Sequence, residues 1–138
     1  MEICIMNAKY RELFTLIART TSNLAEEVMN LHKQNEEEKE FKTAQVMRDD
    51  YLNLHDKLTS EEALTKADFA RILVGAIIVA NQLETRIKND QKALQGYTVD
   101  IIPKLDQINN EPDEEKALKL ASEIFEIKED SEEENKNI

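Results

Sequence analysis

A chain of 138 residues fits one domain able to bury about two-thirds of its unfolded surface. Its 2 Gly and 2 Pro, beside 34% charged and 41% apolar residues, leave too little turn chemistry for a sheet-rich fold and point to helices with few connections. An excess of 29 acidic over 18 basic residues, net −11, sets the chain against nucleic acid phosphates and anionic membrane surfaces.

Residues 1–6 form an apolar start too short, and too poor in basic residues, for a secretory signal. A lone Cys4 excludes an intramolecular disulfide and agrees with a reducing cytoplasm. From Tyr10 the apolar residues fall at alternating gaps of four and three: Tyr10, Phe14, Ile17, Thr21, Leu24, Val28 and Leu31. That is a narrow heptad seam, which seeks a partner helix within the chain or on another molecule. Tyr10, Phe14, Ile17, Leu24, Val28 and Leu31 are therefore the candidate interaction surface. Lys9, Arg11 and Arg19 make the most basic stretch, where an anion would be sought first.

Continuing the seam past Leu31 predicts inward positions at Asn35, Glu38, Lys42 and Gln45, all polar. Apolar spacing resumes instead at Phe41, Ala44, Met47, Tyr51, Leu54 and Leu58, a register slip of three. Either one helix of about 50 residues is locally overwound, or two helices meet in a tight turn over residues 32–36. Asn35 as a cap, with Glu36, Glu37 and Glu38 at a helix start, favours the turn.

After Leu58, Thr59 with Glu62 and Thr65 with Asp68 both have capping-box spacing. The next helix is expected over about residues 65–95 as the spine of the bundle. It carries Phe69, Ile72, Leu73, Ala76, Ile77, Ala80, Leu83, Ile87 and Leu94 on one side, and Val74, Ile78 and Val79 widen the apolar surface almost all round. Such a segment must be covered on nearly every face. Gly75 inside it marks a close crossing, and Gly96 is expected to end it as a left-handed cap.

Residues 97–109 read as a short helix with Val99, Ile102, Leu105 and Ile108 inward and Pro103 in its first turn or at a kink. Asn110 is then the expected cap of a last helix with Leu118, Ala121, Ile124 and Phe125 inward. The acidic residues 129–138 are expected to form a disordered tail behind a single helical domain, 1–128. The longest apolar run, residues 69–80, contains Arg71 and falls short of the roughly 20 residues that cross a bilayer.

Glu36, Glu37 and Glu40 have Glu-Glu-x-x-Glu spacing, which resembles half of the magnesium signature of the all-α nucleoside triphosphate pyrophosphatases. The resemblance implies a helix presenting carboxylates to an ion that holds phosphates. The family's Glu-x-x-Asp on a following helix is missing from the 50 residues after Glu40, so Asp49 and Asp50 would have to substitute. His32 and His55 lack the spacing of helical zinc or di-iron sites, and no Gly-rich phosphate loop occurs.

The sequence thus reads as an all-α bundle of four or five helices with no cofactor. Its expected function is a non-enzymatic cytoplasmic interaction or regulatory module that binds a protein partner or itself, with neither nucleic acid nor membrane involved. An acidic inhibitor occupying a basic, nucleic-acid-binding surface is the alternative, and a magnesium-dependent nucleotide hydrolase the second. Richness in Lys, Glu, Asn and Ile is what an AT-rich genome, such as that of a low-GC bacterium or its phage, encodes.

Overall fold

A computed structural model describes residues 4–86 and 92–129, with side chains over 6–81 and 98–127. Among the described residues five helices form an all-α bundle: α1 (Ala8–Gln34), α2 (Glu38–Thr59), α3 (Lys66–Arg86), α4 (Lys92–Asn110) and α5 (Glu114–Ile124). A two-residue antiparallel ladder, β1 (Cys4–Ile5) with β2 (Lys128–Glu129), ties the described ends together. Residue 129, expected in the tail, is therefore paired with Cys4, while 130–138 lie outside the described residues.

Residues 7–58 form a helical hairpin, not a rod. Asn35 closes α1 instead of capping α2, and Glu36 takes φ 57°. The Glu37 amide donates to the His32 carbonyl at 2.9 Å and the Glu36 amide to Lys33 at 3.2 Å, the paired bonds of a Schellman stop. The same six-to-one bond recurs from Glu62 to Lys57 after α2 and from Ile127 to Ser122 after α5, with Glu61 (φ 58°) and Glu126 (φ 54°) in the left-handed position. Glutamate thus occupies the position usually held by glycine at all three stops. Two of the three gain a tether: Glu61 pairs with Arg11, and Glu126 accepts from Asn7 at 2.6 Å.

The start of α3 comes from Thr65 and Asp68, not from Thr59. The Thr65 amide donates to the Asp68 carboxylate at 2.8 Å while the Asp68 amide donates to the Thr65 hydroxyl at 3.2 Å. This is a reciprocal capping box with Asp in the usual Glu position. Thr59 instead lies in the last turn of α2 and donates to the Asp56 carbonyl.

The single spine expected over 65–95 is two helices. α3 is described to Arg86 and α4 from Lys92, and Gly96 lies inside α4 instead of capping α3. Gly96 costs a helix about 1 kcal/mol relative to Ala, too little to stop one whose other face packs on α3. Ile87 lies outside the described residues, as do the side chains of Leu83 and Leu94.

In α4 the inward residues are Thr98, Ile101, Leu105 and Ile108; Val99, expected inward, is exposed and Ile102 half-buried. Pro103 sits well inside the helix and leaves the Val99 carbonyl without its helical donor; both residues are exposed, so water can serve it. The last helix is capped by Asp113, which accepts from the Lys116 amide at 3.1 Å, and not by Asn110, which ends α4. It buries Ala117, Ala121 and the following Phe125.

Phe125 centres the core. Phe14 meets it edge-on at 4.9 Å between centroids, Tyr10 edge-on at 5.1 Å, and Phe69 stacks on it at 6.1 Å. Rings from α1, α3 and the end of α5 thereby join in one cluster worth more than its buried area alone.

The expected close crossing at Gly75 is where α3 meets both arms of the hairpin. A Cβ there would lie 3.0 Å from Thr21 Oγ1, 3.1 Å from Ile17 Cγ2 and 3.1 Å from Tyr51 Cε1. None of the three can readily retreat: the Thr21 hydroxyl donates to the Ile17 carbonyl at 2.7 Å, Ile17 is fully buried, and Tyr51 donates to the Arg71 carbonyl at 2.8 Å.

Gly75→Ala should therefore destabilise despite a helix-propensity gain of about 1 kcal/mol, because overpacking costs about 1–3 kcal/mol. Gly75→Val should cost more, and chemical denaturation of both variants measures it. Glu36→Gly should do the opposite, raising stability by about 1 kcal/mol through relief of the left-handed backbone, read as a higher thermal midpoint.

Candidate interaction groove

The heptad seam of α1 divides at the Gly75 crossing. Phe14, Ile17 and Thr21 are fully buried and Tyr10 half-buried, so this part of the predicted interaction surface faces the chain's own core. Beyond the crossing Leu24 is half-buried, Val28 is 43% exposed and Leu31 55% exposed. Only Leu24, Val28 and Leu31 of the six predicted surface residues remain for a partner.

They form one wall of an open groove of about 490 Å³ whose opposite side is Thr43, Ala44 and Met47 of α2, with Ile78 of α3 at its inner end. The groove exists because the hairpin closes with small or flexible side chains, Ala25 and Met29 of α1 and Ala44 of α2, all buried. The larger residues of the seam point beside that contact. α3 also leaves an apolar strip: Val74 at 49% and Ile77 at 43% exposure lie within one turn of Ile78. The expectation that α3 is covered on nearly every face does not hold, because its two hairpin contacts lie on the Gly75 side.

A set of charges fixes α3 to α2 just before the groove. Lys57 donates to the Asp68 carboxylate at 2.5 Å, Arg71 pairs with the same carboxylate, and Arg71 also meets Asp50 at 2.5 Å. Burial alone would raise the Asp68 pKa; hydrogen bonds from Lys57, the Thr65 amide and Arg71 outweigh it and hold the carboxyl below its usual range. Burial, reinforced by the Asp50 charge, pushes the Tyr51 phenol up to about 12, so it stays protonated and keeps donating to Arg71. Among the described residues no buried side-chain nitrogen or oxygen lacks a partner.

The carboxylates of the nucleotide-hydrolase expectation are not gathered. Glu36 sits in the hairpin turn, Glu37 faces His32 at 3.2 Å, and Asp50 is engaged by Arg71. Asp50 is also ten residues beyond Glu40 on α2, about 15 Å of helix rise. Among the described residues no three His, Cys, Asp or Glu side chains are placed to hold a metal ion. The basic stretch is likewise engaged, with Arg11 on Glu61 and Arg19 3.5 Å from His55.

A second, smaller cavity of about 160 Å³ lies under the ladder, among Met6, Leu58, Leu64, Phe69 and Ile127, with the Arg11–Glu61 pair at its edge. It is a gap in the core. The groove is larger than this gap and is rimmed by exposed Val28 and Leu31; an opening of equal volume between α1 and the end of α2 is lined mainly by polar residues, Arg11, Glu12, Arg19 and Glu61 among them.

Removing Asp68 strands two partly exposed cations, so Asp68→Ala should cost about 2–3 kcal/mol, below the range for fully buried pairs. A depressed carboxyl stabilises the fold above the unfolded-state pKa and loses that contribution as pH falls through the folded-state value. Wild-type stability should therefore drop on acidification below about pH 4. Denaturation curves of Asp68→Asn should show a shallower drop over the same window.

Among the described residues no helix is long and apolar enough to cross a membrane. No family model, curated protein or solved structure matches the chain, so the groove is read from its own geometry.

Proposed function

We propose that the protein is a non-enzymatic helical interaction module of the cytoplasm, which binds a helix of a partner in the groove between the distal halves of α1 and α2. The observation that carries this reading is the exposure of Val28 and Leu31, at seam positions beside Leu24, Met47 and Ile78. Exposed apolar patches on a small protein mark interaction sites. Leucine and valine at alternating gaps of three and four are what a second helix meets along a coiled-coil-like contact. The partner is another protein or a second copy of the chain.

A photo-crosslinking residue at Val28, in the cells that make the protein, tests the reading. A discrete adduct is expected from position 28 and not from exposed Glu123 on α5; Leu31→Asp should abolish it while leaving the melting temperature within a few degrees. A product at twice the 16.0 kDa chain mass identifies a second copy, and any other discrete mass a different partner. Equal labelling from both positions, or none from position 28, overturns the groove assignment.

A further inference from the structure

Resting on the groove assignment above, we infer that the occupant is a basic amphipathic helix of a different protein: apolar residues at heptad spacing flanked by lysine or arginine. The first ground is charge. Between residues 24 and 47, which contain the hairpin end, six glutamates face three lysines. Glu27 and Glu40 line the groove itself, one from each arm, against Lys39 from α2, and Glu36, Glu37 and Glu38 surround Phe41 with Lys33, Glu37 meeting His32 and Glu38 meeting Lys42. The excess of glutamate over lysine around the groove attracts a cationic helix lying between the arms.

The same charges act against a second copy. Two groove faces brought together would place their glutamate rims against each other on chains of net charge −11. Geometry supplies the second ground. Leu24, Val28 and Leu31 occupy two turns of α1, and the opposite wall, Ala44 and Met47, is shallow, so the space suits side chains projecting from a helix. An extended strand would find no sheet edge here, and the described ladder lies at the other end of α1.

The test uses three synthetic peptides of about 18 residues, long enough for five turns. One has leucines at heptad a and d positions with flanking lysines, one has glutamate for each lysine, and one has the lysine composition scrambled out of register. Fluorescence anisotropy against the full chain should show the lysine peptide bound at least about tenfold tighter than either other peptide. Val28→Asn with Leu31→Asn should weaken it by a similar factor, and Glu40→Lys should narrow the gap between the lysine and glutamate peptides.

Four results overturn the inference, and they fall differently on the groove assignment. Lysine and glutamate peptides bound equally, both lost in the asparagine variant, remove the basic partner and leave the groove. A dimer in sedimentation that the asparagine variant splits also leaves the groove, with a second copy in it. Lysine and scrambled peptides bound equally and untouched by the asparagine substitutions mean attraction to surface charge alone, which removes both. No binding by any peptide removes the inference, while a position-28 crosslink would still uphold the groove.

Discussion

The absence of a side chain at position 75 is the constraint on which the rest of the bundle depends. Because α3 approaches both hairpin arms there, Ile17, Thr21 and Tyr51 pack against its backbone. Tyr51 can then reach the Arg71 carbonyl, and Arg71 can span Asp50 and Asp68. Asp68 in turn caps its own helix through Thr65 and holds Lys57 of α2. Steric access, a phenol hydrogen bond, a charge network and a helix cap are thus successive consequences of one glycine. The crossing also decides what stays uncovered. α1 has 27 residues, about 40 Å of helix, and Ile78 is the part of α3 that reaches the groove beyond the crossing.

Helix stops show a local device that composition conceals. In a chain with 2 glycines the one not needed for a crossing is expected at a helix end, yet Gly96, like Gly75, lies inside a helix. The left-handed stops at 36, 61 and 126 are glutamates. A glutamate there strains the backbone by about 1 kcal/mol or more. It also supplies a side chain that glycine lacks. Arg11 and Asn7, both near the start of α1, are held by Glu61 and Glu126, so the ends of α2 and α5 are fastened to one place. No spacing rule signals this exchange, because the benefit is tertiary while the cost is local.

Helical class, the hairpin break and the Gly75 crossing were legible because each leaves a local mark: apolar periodicity, a slip in its register, and a residue without a side chain on an apolar helix. The slip of three after Leu31 is met by a change of packing partner at the hairpin turn and not by overwinding of one helix. The phase of α4 was less legible: Val99 and Ile101 are both β-branched and apolar, so only packing against α3 selects Ile101 as the inner residue. The division of the α1 seam was illegible for a related reason. Nothing in the run from Tyr10 to Leu31 differs across Thr21, and only the arrival of another helix separates core from groove. The glutamate cluster is not gathered with Asp50, since sequence proximity to Glu40 does not bring Asp50 near it on a straight helix.

Stability accounts for half of that seam and not for the other. Phe14 and Ile17 are buried completely, and each such side chain contributes about 1.5–3 kcal/mol, so their apolar character is sufficiently explained by folding. Leu31 keeps more than half of its surface in water and Val28 nearly half. The hairpin contact at their level is already made by Ala25, Met29 and Ala44. A polar residue at 28 or 31 would cost the fold little and would improve solubility. Folding does not call for their apolar character; in the proposed groove that surface is buried against a partner helix, and the excess of glutamate around it sets the charge such a helix would carry.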